Sequence, residues 1–396
     1  MHVRSVPVRI RALNKVLPQG LLRWRLSSAQ ALEDAARHSL RSSAELTNPS
    51  RCALEVLLQS YRATARLHPL GEIMTAVNIL SLIKHQLSLN DNWQRAEDAG
   101  LRDIKAPLII TGLPRTGSTL LFNLLAFDPS WRMPLSWEST RPAPIPKSPF
   151  AKRLRIAHTQ TRFQLIELLH PGFRAIHELG AKLPQECIVI TAPALRSHMF
   201  FTSAYVPEYQ DWLDDQPQAE TYTHHQRFLR YLQQTQQPNW LLKAPSHLFS
   251  IEGLLATYPD ARLVYTQRQP DQVVGSIASL QWHLYRTFSD FSDLNELGQQ
   301  VCQRWGNAHK NFLNTLKNSP DLRQRTFSLD YQQLIDNPLQ QVEALYAFFN
   351  LPLLGSVVEQ MRQYLQQRPQ HHFGNHRYTL ADYGLTTASV NHAFGI

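Results

Sequence analysis

Lys105–Phe127, KAPLIITGLPRTGSTLLFNLLAF, is the stretch that decides the fold. KAPLIITG is a short, unbroken apolar run that stops at Gly112, the pattern of a parallel strand buried on both faces. STLLFNLLAF has helical character, and the small-residue turn before it makes the whole a strand, tight loop and helix. Gly112-Leu113-Pro114-Arg115-Thr116-Gly117-Ser118-Thr119 carries the frame of the nucleotide phosphate loop, G-x-x-x-x-G-K-[ST], with Ser118 where the lysine belongs. The glycines let the backbone turn so that successive amides face an anion, and the helix adds its positive end. Lost is the lysine that reaches the β- and γ-phosphates of a triphosphate. Arg115 restores charge from within the loop, which suits a shorter anion such as a phosphate with one leaving group. The competing reading is a Gly-rich turn that binds nothing.

Further along, a second unit begins at Asn239. WLLKAP reads as a strand, and SHLFSIEGLLATYP as a helix ended by Tyr258-Pro259. ARLVYTQR is a strand again, and PDQVVGSIASLQWHL a helix with Pro270 in its first turn. RTFSLDYQQLIDNP reads as a last strand leading into a short helix. This alternation predicts an α/β chain with a P-loop-like three-layer fold, a central parallel sheet flanked by helices. Upstream, AQALEDAARHSL, EVLLQSYRATARL and MTAVNILSLIKHQLSL space their apolar residues helically, with nothing catalytic among them. The expected organisation is a helical N-terminal cap region over 1–100 and the α/β domain over 101–396. Within the latter, Pro134–Pro149 reads as a proline-rich loop and the chain to about residue 236 as mostly helical. The tail HHFGNHRYTLADYGL reads as a loop.

Composition narrows the function. The chain has 396 residues, 43% hydrophobic and 18% charged, so it has ample material for a core. Its net charge of +9 favours anionic partners. Lys and Arg are spread along the chain, apart from loose clusters near Arg4–Arg25 and Lys152–Arg155, which argues against nucleic acid as partner. Cys52, Cys187 and Cys302 form no CxxC pair, giving neither a disulfide framework nor a zinc site and suiting a reducing, cytoplasmic compartment. No apolar run approaches the roughly 18 residues of a transmembrane helix. The basic N-terminus lacks the h-region and cleavage site of a targeting peptide and reads as a basic helix or arm. No His/Cys/carboxylate grouping has metal-ligand spacing, so no metal is expected.

PLIITGLPRTGSTLL resembles the 5′-phosphosulfate loop of the sulfotransferases, in the Pro-Arg-[Ser/Thr]-Gly-[Ser/Thr]-Thr-Leu form of the bacterial branch and of the tyrosylprotein sulfotransferases. The family's second signature, an Arg closing a strand with a Ser eight residues on, is met in RLVYTQRQPDQVVGSIASL by Arg268 and Ser276. The resemblance covers roughly residues 105–390. It implies 3′-phosphoadenosine 5′-phosphosulfate as donor and 3′,5′-bisphosphoadenosine as product. The implied cofactor-binding residues are Pro114, Arg115, Thr116, Gly117, Ser118 and Thr119 at the 5′ end. Arg268 and Ser276 would hold the 3′-phosphate, a strand-end Arg offering a forked donor pair and a helical Ser a hydroxyl. The family also closes a late basic loop over the nucleotide, which His376, Arg377 and Tyr378 resemble. Gln269 departs from the acidic or small polar residue expected there. Asp330 and Tyr331 match a strand motif of the family and are read as structural.

Sulfuryl transfer, like phosphoryl transfer, needs the acceptor held in line, its proton removed and the leaving phosphate neutralised. Lys243 closes a parallel strand, at the edge where ligands of α/β sheets gather. It also matches a strand-end lysine that contacts the transferring group in the tyrosylprotein branch, and Arg115 is the second cation. For the base, Glu138 is the first choice. It follows Arg115 by 23 residues, near the place of the tyrosylprotein enzymes' catalytic Glu, which lies two residues closer. Glu186 in KLPQECIVI is the second, matching a Pro-Glu-Glu-Cys-like motif with Gln185 in place of the first Glu. Either carboxylate is equally readable as a helix start or a salt-bridge partner. The His base of the cytosolic sulfotransferases keeps His224, His225 and His247 in play.

The expected activity is therefore in-line transfer of a sulfuryl group to an acceptor hydroxyl or amine. The rivals are a P-loop kinase-like protein, which should carry the Walker lysine and an acidic Mg²⁺ ligand, and a non-catalytic nucleotide binder. The acceptor is expected to be a small molecule, lipid or carbohydrate; Trp131, Trp137, Phe173, Phe200 and Phe201 hint at an apolar one.

Overall fold

The computed structural model describes residues 7–17, 28–169, 179–367 and 378–396. Four helices come first: α1 (Val8–Val16), α2 (Ala29–Leu40), α3 (Asn48–Ala63) and α4 (Pro69–Asp98). Ser28 and Thr47 cap α2 and α3 through their hydroxyls, and His68 caps α4 through a ring nitrogen. Next come β1 (Leu108–Gly112), α5 (Ser118–Leu125), β2 (Trp131–Arg132), α6 (Ser136–Ser139) and α7 (Pro149–Leu169). Shorter helices follow, α8 (Cys187–Thr191), α9 (Met199–Ser203), α10 (Pro207–Asp214) and α11 (Ala219–Gln233). Then β3 (Asn239–Lys243), α12 (Ile251–Thr257), β4 (Arg262–Gln267), α13 (Pro270–Phe288) and α14 (Leu294–Asn318) alternate. The chain ends with α15 (Pro320–Gln324), β5 (Thr326–Asp330), α16 (Tyr331–Asp336), α17 (Pro338–Phe348), α18 (Gly355–Gln367) and α19 (Thr387–Phe394).

These elements fall into two compact units. The helical unit takes residues 1–103, 135–236 and 280–293; the sheet unit takes 104–134, 237–279 and 294–396.

In the helical unit, Leu54, Leu57 and Leu58 of α3 pack with Ile79, Ile83 and Leu87 of α4 in one buried cluster, which Phe200 and Tyr209 join from the later segment. These are i, i+3, i+4 positions in α3 and i, i+4, i+8 positions in α4, so each helix buries one apolar stripe. Glu33 is buried beside this cluster. Its carboxylate accepts from the Leu46 amide at 2.8 Å and from the Arg51 guanidinium at 3.0 and 3.1 Å, so the buried charge is both paired and hydrogen-bonded.

In the sheet unit, five parallel strands lie in the order β2-β3-β1-β4-β5, flanked by helices as the alternation predicts. β1 is central and every residue in it is buried, which explains its continuous apolar sequence. Its Leu108 and Ile110 share a buried cluster with Leu121, Phe122, Leu124 and Leu125 of α5, Leu241 of β3, Val264 of β4 and Leu329 of β5.

Three local features differ from the sequence reading. β2 adds an edge strand of two residues, too short to leave a periodic signal. The segment read as a proline-rich loop contains α6, a single turn that Glu138 starts by accepting the Leu135 amide at 2.9 Å. The helix expected after β3 begins as a 3₁₀ turn over Pro245–Ser250 before α12.

Candidate active site

In an all-parallel sheet every strand ends on the same rim. The rim therefore gathers the ends of β1, β3 and β4, and with them the loop Gly112–Thr119, Lys243 and Arg268.

The loop is held by short contacts. Thr116 Oγ1 lies 2.6 Å from the Leu113 carbonyl oxygen and 2.6 Å from Thr266 Oγ1, anchoring the turn to β4. Gly112 has φ +139°, and a methyl group there would sit 2.2 Å from the Thr266 carbonyl oxygen. Gly117 has φ +79°, and a methyl group there would lie 2.8 Å from Leu334. Arg115 takes a left-handed conformation, φ +69°, which is costly for a side-chain-bearing residue. The first amides of α5, which starts at Ser118, have no carbonyl within the helix to bond and are available as donors to an anion.

Three cationic side chains converge on this loop. Lys243 Nζ, buried at the end of β3, donates to Thr119 Oγ1 at 3.1 Å and lies 6.0 Å from the Phe122 ring centre. Arg115 Nε donates to Ser276 Oγ on α13 at 3.2 Å. Arg268 donates to the Arg115 carbonyl oxygen at 3.3 Å and to Gln272 at 3.2 Å. The two signature segments, separated by 161 residues between Arg115 and Ser276, are in direct contact. Tyr378 packs near the same place: a methyl group on Gly275 would lie 3.1 Å from its ring. His376 and Arg377, named with it, lie outside the described residues, as does Phe173.

Two contributors escaped the sequence reading. Tyr331, read as structural, lies under the Arg268 guanidinium at 4.1 Å from its ring centre, and its edge would be 3.3 Å from a methyl group on Gly117. Thr266 braces the loop from β4. An aromatic residue at a strand-to-helix junction was visible in the sequence, but its pairing with Arg268 is a matter of tertiary contact alone.

The carboxylates named as bases belong to the helical unit. Glu138 is buried on α6, and Glu186 is the half-buried residue just before α8. A bridge between Leu135 and Pro184, with the Ser136 amide donating to Leu183 and the Trp137 amide to Ala181, sets the two segments side by side. Both residues stand at helix starts, so each has a capping role available besides any in chemistry. His224 and His225 are buried on α11, and His247 is buried in the 3₁₀ turn after β3. Burial first, and the Arg227 charge second, push His224 down to about 3, which leaves it a weak base.

Fold and rim together define an α/β protein with a P-loop-like turn that lacks the triphosphate lysine, carries Arg115 and lies beside the strand-end cations Lys243 and Arg268. The profile of the sulfotransferase family matches residues 107–354, more than half the chain, and the chain belongs to that family. Omega-hydroxy-beta-dihydromenaquinone-9 sulfotransferase Stf3 of Mycobacterium bovis is 25% identical over 287 residues, 69% of this chain and 70% of that protein. The same figures hold for Stf3 of Mycobacterium tuberculosis. The crystal structure of sulfotransferase STF1 from M. tuberculosis is similar with a TM-score of 0.78 and 28% identity, over 93% of this chain and 98% of that one. That of STF9 from Mycobacterium avium matches in fold with a TM-score of 0.79 at 24% identity, over 96% of each chain.

Proposed function

We propose that this sulfotransferase takes the sulfuryl group from 3′-phosphoadenosine 5′-phosphosulfate and transfers it to a hydroxyl group of an apolar, lipid-like acceptor. The observation that carries the donor assignment is the contact between Arg115 and Ser276 at 3.2 Å, which joins a loop suited to a 5′-phosphosulfate to a pair suited to a 3′-phosphate. The donor set fits such a ligand: backbone amides, the Ser118 and Thr119 hydroxyls, and Arg268, all able to donate to phosphate oxygens. Arg268 rests on Tyr331, which fixes its fork before any anion arrives.

In the proposed reaction the acceptor oxygen forms a bond to sulfur as the bond from sulfur to the 5′-phosphate oxygen breaks. The acceptor proton passes to a carboxylate, Glu138 as first choice and Glu186 as second, and the products are a sulfate ester and 3′,5′-bisphosphoadenosine. Lys243 and Arg115 offset the charge that builds on the leaving phosphate. The hydroxyl is favoured over an amine because the relative Stf3 is named for an omega-hydroxylated menaquinone, which also speaks for a lipid-like acceptor.

Calorimetric titration with 3′,5′-bisphosphoadenosine tests the donor site. Binding is expected for the wild type, and Arg115→Ala and Arg268→Ala should each weaken it at least about tenfold, roughly 1.4 kcal/mol. Undiminished affinity in both variants, or a preference for ATP with Mg²⁺, would refute the assignment. Labelled-sulfate transfer by Glu138→Gln and Glu186→Gln then chooses the base; if neither slows turnover, neither carboxylate is it.

A further inference from the structure

A helix on the outside of a folded chain normally turns its apolar stripe inward and its charges outward. In the helical unit, α7 turns an apolar stripe outward as well. Phe150, Leu154, Leu165 and Leu168 are 76%, 62%, 55% and 57% exposed. At 3.6 residues per turn these four fall within roughly 60° of arc, with Ala157 and Thr161 between them on the same exposed face. Arg155, Thr159, Phe163 and Ile166, on the opposite side, are the half-buried and buried positions. The outward stripe therefore runs the length of a 21-residue helix. Contiguous apolar surface of this kind on a folded protein marks a place where something else docks.

The charges say what kind of surface that is. Exposed Arg153 and His158 flank the stripe on either side, with exposed Arg162 beyond His158, and Glu167 is the one carboxylate of the helix. α1 repeats the pattern: Val8 and Val16 are 70% and 83% exposed, beside exposed Arg9, Arg11 and Lys15, with no acid in the helix. Arg9 donates to the Leu168 carbonyl oxygen at 2.6 Å, so α1 is tied to the C-terminal end of α7. A Phe/Leu stripe bordered by Lys and Arg suits a helix lying in the interface of an anionic bilayer: its apolar side chains enter the acyl boundary and its cations meet lipid phosphates. Among the described residues no helix is long and apolar enough to cross a membrane, which fits a helix that lies flat.

We infer that the outward faces of α7 and α1 form a docking surface for an anionic lipid bilayer. Both helices belong to the helical unit and carry none of the residues assigned to donor binding.

Vesicle flotation tests it. The full chain should float with vesicles of phosphatidylcholine containing about 30% phosphatidylglycerol, and at least about tenfold less with phosphatidylcholine alone or in 0.5 M salt. Leu154→Glu/Leu165→Glu should cut flotation at least about tenfold with an unchanged thermal midpoint, because both side chains already face solvent. Arg153→Glu/Arg11→Glu should lose the preference for the anionic vesicles. Failure of the wild type to float, or equal flotation by the Leu variant, overturns the inference. So does a wild-type dimer in solution that the Leu variant converts to monomer, which would make the stripe a contact between copies. Bisphosphoadenosine binding is not read in any of these arms, so the donor assignment can fail or stand on its own.

Discussion

The two units place their chemistry by different means. In the sheet unit, backbone hydrogen bonds alone bring the ends of β1, β3 and β4 to one rim, so a residue that closes a strand is delivered to the site by topology. In the helical unit no such rule operates. The segments that carry Glu138 and Glu186 meet through the Leu135–Pro184 bridge and the Ser136 and Trp137 amides. His224 and Glu33 are placed by packing among helices from distant stretches of chain. A rim built by topology should tolerate changes around it and fail when its own donors are removed. A unit built by packing should respond to its buried polar groups through stability before it responds through function.

The sharpest test of the rim is Lys243→Ala. Removing a buried cation that donates to Thr119 should lower turnover about 10²- to 10³-fold, while affinity for bisphosphoadenosine changes less than about threefold. Equal loss in both would make Lys243 a binding group only. Gly112→Ala comes next. It forces a methyl group onto the Thr266 carbonyl oxygen at a backbone angle that L residues rarely adopt, and should cost about 3 kcal/mol in urea unfolding together with loss of nucleotide binding. A stable variant that still binds would show the turn to be adaptable.

How much of this was readable beforehand follows from the same contrast. The strand-loop-helix around Gly112 and the alternation after Asn239 are local patterns, so their fold and the rim positions of Arg115, Lys243 and Arg268 were legible. The family's two signatures lie on that rim for the same reason. Tyr331 reads as structural from the sequence, and its stacking beneath Arg268 was not legible there, because it depends on β5 lying next to β4. The edge strand β2 was invisible, since two residues carry no periodicity. In the helical unit the helices were legible and the pairings were not. Nothing in PLSWEST or KLPQECIVI announces that the two segments meet, nor that Glu138 starts a helix turn inside a proline-rich stretch. The apolar stripe of α7 also reads as an ordinary amphipathic pattern until the structure shows which way it faces.

In the packed unit, Glu33→Ala leaves the Leu46 amide and the Arg51 guanidinium without the carboxylate that both donate to. With Arg51 partly solvated, the cost should be about 2 kcal/mol, less than for a fully buried pair. The measurement is the urea midpoint; an unchanged midpoint would show that water replaces the carboxylate without penalty.

At neutral pH the smallest effect is expected at His224, where the effect is a slope that opens only on acidification. Burial and the nearby Arg227 charge hold its imidazole at about 3 in the folded chain, against an ordinary value of 6.5. Above pH 6.5 both folded and unfolded chains keep it neutral, and its contribution to stability is whole. As the pH falls from 6.5 toward 3, the unfolded chain takes up a proton that the folded chain refuses, so stability declines by about 1 kcal/mol per pH unit. His224→Leu removes that proton uptake, and Nε2, buried with no partner among the described residues, leaves no hydrogen bond behind. His85 is pushed to about 3 as well, by burial first and then by Arg162, Arg141, His224 and Arg155, so it titrates in the same window. His68 and His309 are lowered by burial too, so the acid limb of His224→Leu should be shallower by about 1 kcal/mol per pH unit between pH 6 and 4 but not flat, with the plateau above pH 7 little changed. A limb as steep as that of the wild type would mean that the folded unit admits the proton, and that its interior is less closed than the packing of α11 implies.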